Sequence, residues 1–116
     1  MTEGRLDEDL YFISMAARLL DLHPQTLRKY ERLGLIQPTR TIGSMRLYSR
    51  AQLDRLKLIK HLVEDVGVNL AGVQRLLTIA ESVERIRPLV NGETPPRVIR
   101  RRIAHEIDLI SDLVGL

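Results

Sequence analysis

HPQTLRKYERLGLI, residues 23–36, is the most informative stretch of this sequence. Pro24 suits the first position of a helix, because its missing N–H would have no partner there in any case. Gly34 suits the position just beyond the helix end, where a left-handed backbone is common. Three residues recur at helical spacing and are predicted to face a core: Leu27, Tyr30 and Leu33. The stretch therefore predicts a helix that runs from Pro24 to about Leu33, after which Leu35 and Ile36 re-enter the core.

The opposite face of this helix carries long side chains that can donate hydrogen bonds. They lie at i, i+3, i+4 and i+7: Gln25, Arg28, Lys29 and Arg32. A solvated surface with ordinary charges is the alternative interpretation of such a face. The flanking sequence favours a more specific role.

A second short helix is predicted directly upstream. Ser14 is suited to cap its N-terminus. Its apolar stripe has helical spacing: Ile13, Ala16, Ala17 and Leu20. Only Asp21, Leu22 and His23 separate this stripe from Pro24. Two short helices joined by so few residues indicate a helix-turn-helix.

A β-hairpin is predicted downstream, over Thr39 to Tyr48, with Gly43 and Ser44 at its turn. Arg40 and Arg46 fall on its two arms. Any surface turn could contain Gly-Ser, but a hairpin that follows a helix-turn-helix is typical of a wing. Such a wing can place Arg and Tyr side chains along DNA phosphates while the preceding helix enters the major groove.

Two further helices are predicted as scaffold. Ser49 and Gln52 have the spacing of a capping box at the start of the third helix. Its expected buried stripe is Leu53, Leu56, Ile59, Val63 and Val66, and Gly67 ends it. Asn69 is expected to cap the fourth helix, and residues 91–96 form the clearest loop of the chain.

The last predicted helix begins at Arg97 and carries an apolar stripe with near-heptad spacing. The stripe consists of Ile99, Ile103, Ile107, Ile110 and Val114. It must be buried, either by folding back on the same domain or by pairing with a second copy. We favour a homodimer, because a two-fold DNA reader gains affinity and half-site spacing from dimerisation.

Composition excludes several classes of protein. The chain has 116 residues, no cysteine and a formal net charge of +3. Ten Lys or Arg and three Asp or Glu lie between Arg18 and Lys60, which indicates attraction to a polyanion. No paired carboxylates, nucleophile triad, phosphate loop or metal-ligand spacing is present, so we expect neither an enzyme nor a cofactor. No signal peptide or membrane-length apolar run is visible, which suggests a soluble, cytoplasmic protein.

Several segments in combination resemble the MerR family of transcription regulators. They are residues 11–14, residues 25–38, Arg40 with Gly43, residues 46–48, and residues 67–77. The resemblance covers about two thirds of the chain. Within the family, residues 22–28 and 67–73 are most similar to its bacterial heat-shock repressors.

This resemblance implies a mainly α fold, a winged helix-turn-helix whose dimers bind an inverted repeat in double-stranded DNA. It also implies a DnaK-type chaperone as co-repressor. The DNA-binding residues it implies are Ser14, Gln25, Thr26, Arg28, Lys29, Tyr30, Arg40, Arg46 and Tyr48. The expected segments are a flexible arm (residues 1–10), the DNA-binding domain (11–80), a connector (81–96) and a dimerisation helix (97–116).

Two other functions remain open from sequence. One is an excisionase-like or architectural DNA-binding protein, although such proteins are usually shorter. The other is a chaperone-interaction adaptor that uses the apolar end of the chain, residues 113–116. The adaptor hypothesis leaves the basic face of the second helix without a role.

Overall fold

The computed structural model describes residues 10–40, 43 and 45–116. Nine elements follow in chain order, counting a π-type turn: β1 (Leu10–Phe12), α1 (Ile13–Leu20), α2 (Pro24–Arg32), β2 (Thr39–Arg40), β3 (Arg46–Ser49), α3 (Arg50–Lys60), the π-type turn (His61–Val66), α4 (Leu70–Asn91) and α5 (Pro96–Val114). The chain divides into two compact units between Gly67 and Val68. The expected N-terminal arm lies outside the described residues except for Leu10, which belongs to β1.

The predicted helix-turn-helix is present in the first unit. Helices α1 and α2 are joined by three residues, of which Asp21 adopts a left-handed conformation with φ 54°. The Leu22 N–H donates to the Ala17 carbonyl at 2.9 Å and closes the turn. The core beneath both helices is largely aliphatic: Ala16, Ala17, Leu20, Leu27, Leu35, Ile36, Leu53, Leu56 and Ile59.

The prediction that Ser14 caps α1 is wrong. The helix begins at Ile13, Phe12 occupies the cap position, and no side chain caps the first N–H groups. The physical reason is strand β1, which the sequence analysis did not predict. It holds residues 10–12 extended against β3, and the helix begins directly after this strand, two residues earlier than predicted.

The predicted hairpin is confirmed, and it is part of a three-stranded antiparallel sheet with strand order β1-β3-β2. Thr39 lies opposite Leu47, and Arg40 lies opposite Arg46. On the other side of β3, Tyr11 lies opposite Tyr48. The expected turn residue Ser44 lies outside the described residues.

Helix α3 begins as predicted but ends differently. The Ser49 hydroxyl accepts from the Gln52 N–H at 3.2 Å. The Gln52 side chain does not complete a capping box, because its Oε1 accepts instead from the Gln37 N–H at 3.3 Å. Val66 was expected in the core, yet it is 57% exposed. It lies in the π-type turn, whose wider winding moves residues away from the stripe that α3 buries.

Leu33 was also expected to face the core, yet it is 46% exposed. Helix α2 ends at Arg32, which leaves Leu33 as the C-cap residue. Gly34 follows with φ 77°. This left-handed residue turns the chain so that Leu35 and Ile36, rather than Leu33, enter the core.

Replacing Gly34 by alanine is expected to lower the free energy of unfolding by about 1 kcal/mol. The cost is backbone strain alone, since a Cβ atom at Gly34 would meet nothing within 4 Å. Gly43→Ala is the matched control, because its Cβ also meets nothing and its φ is outside the left-handed range. Urea unfolding followed by circular dichroism measures both; equal effects would contradict the role assigned to Gly34.

The second unit is a pair of helices, α4 and α5. The Asn69 side chain caps α4 as predicted, since its Oδ1 accepts from the Gly72 N–H at 2.9 Å. Helix α4 continues through Pro88 to Asn91, so most of the segment expected as a connector is helical. Helix α5 begins at Pro96, close to the predicted start.

A polar network that sequence analysis did not anticipate connects α4 to α5. The Ser82 hydroxyl donates to Oε1 of Glu106 at 2.8 Å. The Arg85 guanidinium donates to both carboxylate oxygens, at 2.7 Å and 3.0 Å. These hydrogen bonds, with Arg85 contributing most, lower the pKa of Glu106 to about 2. A carboxylate that is only 5% exposed is therefore held in its charged form.

This network predicts a specific dependence of stability on pH. The Glu106 pKa falls from 4.5 to about 2 on folding, so its stabilisation is present above pH 4.5 and is lost as the pH falls towards 2. We expect Glu106→Gln to be less stable than wild type at neutral pH, and the difference to shrink over that window. Thermal unfolding across pH measures this. Glu84→Gln, which alters an exposed ion pair, is the control; a constant wild-type–Glu106→Gln difference would contradict the assignment.

Candidate nucleic-acid interface

The predicted recognition helix, α2, has one buried face and one polar face. Leu27 is fully buried and Tyr30 is 5% exposed. Gln25, Lys29 and Arg32 are exposed on the polar face, and Arg28 is half-buried there. The helix therefore offers long polar and cationic side chains while its apolar side holds it on the core.

His23 fixes the start of this helix, a role that the sequence analysis missed. Its Nδ1 accepts from the Gln25 N–H at 3.0 Å, while Pro24 occupies the first helical position. Histidine is an uncommon N-cap residue, so the usual set of capping residues did not identify it. The contact sets where α2 begins and therefore where Gln25 and Thr26 lie.

The wing arginines and Glu31 of α2 form a bridged cluster. Arg40 and Arg46 face each other across β2 and β3 and so lie on the same face of the sheet. Arg40 Nη2 donates to Oε2 of Glu31 at 2.6 Å, and Arg46 Nε donates to Oε1 at 2.5 Å. One carboxylate of the recognition helix thus holds both wing arginines. We call these three residues the Glu31 bridge.

The electrostatics of the Glu31 bridge favour the charged forms. Burial by itself raises the pKa of Glu31, but the hydrogen bonds and charges of Arg46 and Arg40 outweigh it, and the pKa lies below its ordinary value. The hydrogen bond to Glu31 raises the pKa of Arg46. The bridge therefore stays ionised throughout the physiological pH range.

Tyr30 and Tyr48, two of the residues expected at the interface, lie in the core. Tyr48 is fully buried, and among the described residues its hydroxyl has no hydrogen-bond partner. Burial, then the nearby charge of Glu31, raise its pKa. Burial also raises the pKa of Tyr30. Both side chains support the polar surface from below in this conformation instead of lying on it.

Ser14 is exposed at the second position of α1. Among the residues that the structure describes, no side chain caps that helix, and N–H groups in the first turn of a helix are suited to an acceptor such as a phosphate.

Two other cations of this unit have internal structural roles. Arg55 Nε donates to the Leu35 carbonyl at 2.6 Å. Lys60 Nζ donates to the Leu20 carbonyl at 2.7 Å, at the end of α1. Lys57, by contrast, is exposed on α3.

In the part of the chain that the structure describes, no three His, Cys, Asp or Glu side chains are grouped as metal ligands would be. Nor does this part contain a helix that is both long and apolar enough to cross a membrane.

A helix-turn-helix with a β-hairpin bound to its second helix defines the winged helix-turn-helix class. The family profile of MerR helix-turn-helix regulatory proteins matches residues 11–78, which is more than half of the chain. The chain therefore belongs to the MerR family, and the resemblance noted from its motifs is confirmed.

Relatives in sequence include proteins with different regulatory names. A protein of Streptomyces coelicolor named as heat shock protein HspR is 44% identical over 81 residues, which are 70% of this chain and 54% of that protein. The transcriptional regulator GlnR of Bacillus anthracis is 38% identical over 82 residues, 71% of this chain and 63% of GlnR. The chain thus spans between about half and two thirds of the length of these relatives.

Among solved structures, the chain is similar to HiNmlR, a MerR family regulator lacking the sensor domain, which was crystallised bound to promoter DNA. The TM-score is 0.57 at 21% identity, with 93% of this chain and 80% of that chain covered. This likeness confirms the predicted fold class. None of the three proteins is named as an enzyme, in agreement with the sequence analysis.

Proposed function

We propose that this protein is a sequence-specific DNA-binding regulator of transcription. The observation that carries the proposal is the Glu31 bridge, which ties two wing arginines to a recognition helix whose outer face is polar and cationic. A helix of this kind fits the major groove while the wing follows the adjacent phosphates. We expect such a regulator to act in the cytoplasm.

Within this proposal the polar side chains divide into two roles. Gln25, Thr26 and Arg28 contact base edges, because they occupy the N-terminal half of α2. Lys29, Arg40 and Arg46 contact phosphates. Ser14 lies where the first turn of α1 approaches the backbone of the duplex. Tyr30 and Tyr48 support this surface from the core.

In this proposal the protein acts as a homodimer joined through α5. Ile107 and Val114 are 55% and 54% exposed, although they belong to the apolar stripe of that helix. Ile99, Ile103 and Ile110 are half-buried beside them. A second copy of the chain can cover this apolar stripe with its own. The two-fold symmetry of such a dimer would place two recognition helices on an inverted repeat. Residues 97–116 then form the dimerisation segment, and the DNA-binding domain ends near residue 80.

Replacing Ile107 by lysine is expected to weaken self-association at least about tenfold, because a charge would be buried in an apolar contact. Asp112→Lys is the matched control, since it places the same side chain at an exposed position on the other side of α5. Sedimentation velocity over a concentration series measures both variants. If Ile107→Lys associates like wild type, the stripe is not the dimer contact.

We further propose that the regulated genes encode heat-shock chaperones and that the protein represses them. This is supported by the 44% identity to the HspR relative over 70% of this chain. A DnaK-type chaperone is then the co-repressor. When misfolded protein occupies the chaperone, repression is released.

A fluorescence titration tests this regulatory proposal. The wild-type protein is titrated, at fixed salt, on the chaperone-operon promoter of its own organism with and without purified DnaK. We expect tight binding that DnaK strengthens. Tight binding that is indifferent to DnaK would refute the co-repressor, and binding no stronger than that to random DNA would refute the target genes.

A further inference from the structure

We propose that Glu31 is a positioning residue for DNA binding, which holds the wing arginines in the geometry that phosphates require. The inference rests on the proposed DNA binding and adds to it a residue that itself carries the wrong charge for DNA. A negative charge on such a surface repels phosphates. Its presence between two phosphate-contacting cations therefore needs a compensating function.

The geometry supplies that function. Arg40 and Arg46 lie directly opposite each other on two strands, where like charges destabilise the pair. Glu31 accepts from one nitrogen of each, with one oxygen for each arginine. Its carboxylate thus compensates the repulsion and holds both long side chains in one geometry. Their exposed fractions, 41% and 27%, show that both remain accessible from solvent.

Because Glu31 orders the two arginines before DNA binds, the entropic cost of DNA binding is lower. Ordering a long side chain upon binding consumes part of the interaction free energy, and Glu31 has already ordered these two. A guanidinium carries five N–H donors, so the Arg46 Nε that donates to Glu31 leaves the fork of Nη donors for a phosphate. Because Glu31 belongs to α2, the bridge also fixes the register between base contacts of the helix and phosphate contacts of the wing.

Two hypotheses about Glu31 predict opposite results for Glu31→Gln. If the carboxylate only neutralises nearby cations, its removal strengthens binding to every duplex. If it positions the arginines, removal weakens binding to the specific duplex although repulsion has been removed. Binding to random DNA, which depends on total charge, stays equal or increases. The ratio of specific to random affinity therefore separates the hypotheses.

The experiment measures the affinity of three proteins, wild type, Glu31→Gln and Asp54→Asn, over a salt series. Each protein is titrated with the duplex that wild type prefers, obtained by selection from a pool of random duplexes, and with a scrambled version of it. Asp54 is an exposed carboxylate of α3, so Asp54→Asn makes the same change in charge outside the bridge. We expect Glu31→Gln to lose about three- to tenfold in affinity for the preferred duplex, with a salt slope reduced by about one. Asp54→Asn is expected to bind as tightly as wild type or tighter.

A double-mutant cycle distinguishes positioning from a general effect on folding. In an Arg40→Ala, Arg46→Ala background, we expect Glu31→Gln to have little further effect on affinity, because the side chains it positions are gone. A loss as large as in the wild-type background would overturn the inference, as would unchanged or tighter specific binding by Glu31→Gln alone. If wild type itself fails to prefer any duplex, the proposed function falls as well.

Discussion

Leu27→Ala is expected to lower the free energy of unfolding by about 2–5 kcal/mol, the largest stability effect of any substitution considered for this chain. Leu27 is fully buried on the inner face of α2. Its truncation removes apolar surface from the core and leaves a cavity under the helix that carries the polar face. Urea denaturation followed by circular dichroism gives the free energy, provided that the slope of the transition is unchanged.

Leu33→Ala is the matched control, because it removes the same atoms at the end of the same helix. Leu33 is 46% exposed, so we expect its loss to cost less than about 1 kcal/mol. Equal effects of the two substitutions would contradict the arrangement in which Leu27 anchors α2 and Leu33 lies at the surface.

Arg28→Ala is expected to weaken binding to the preferred duplex by about 1–3 kcal/mol, or between about five- and 150-fold. The loss of specificity should be concentrated at one base position, because the substitution removes a bidentate contact to one base edge. Lys29→Ala should instead weaken binding to all duplexes alike and reduce the salt slope by about one. Fluorescence anisotropy on duplexes substituted at each position measures both patterns.

Lys57→Ala serves as the control for these two variants. It also removes one positive charge, but from the exposed surface of α3. We expect its affinity to stay close to that of wild type. If Arg28→Ala behaves like Lys57→Ala, α2 is not the helix that reads the bases.

Local patterns made much of the fold predictable. Pro24, Gly34, Ser49 and Asn69 all have the helix-terminal positions predicted for them, because capping depends on residues a few positions apart. Strand β1 was missed since three residues carry too little pattern, and its existence depends on pairing with β3, which is distant in sequence. Leu33 and Val66 were assigned to the core because helical spacing was extended past the residues where the regular helices end.

The candidate site was predictable only in part. Helical spacing was enough to group Gln25, Arg28 and Lys29 on one polar face, and that grouping remains the basis of the proposed base and phosphate contacts. The Glu31 bridge was not predictable, because it joins residues 9 and 15 positions apart through a hairpin whose register sequence alone does not give. The burial of Tyr48 depends in the same way on tertiary packing.

Selection from a pool of random duplexes tests the central claim most directly, since the preferred duplex emerges from the selection itself. The wild-type protein is incubated with the pool at fixed salt, and bound duplexes are amplified and sequenced over several rounds. We expect a single enriched motif that consists of two inverted half-sites, whose centres are separated by whole turns of the DNA helix. A pool that remains random after selection would contradict sequence-specific DNA binding by this protein.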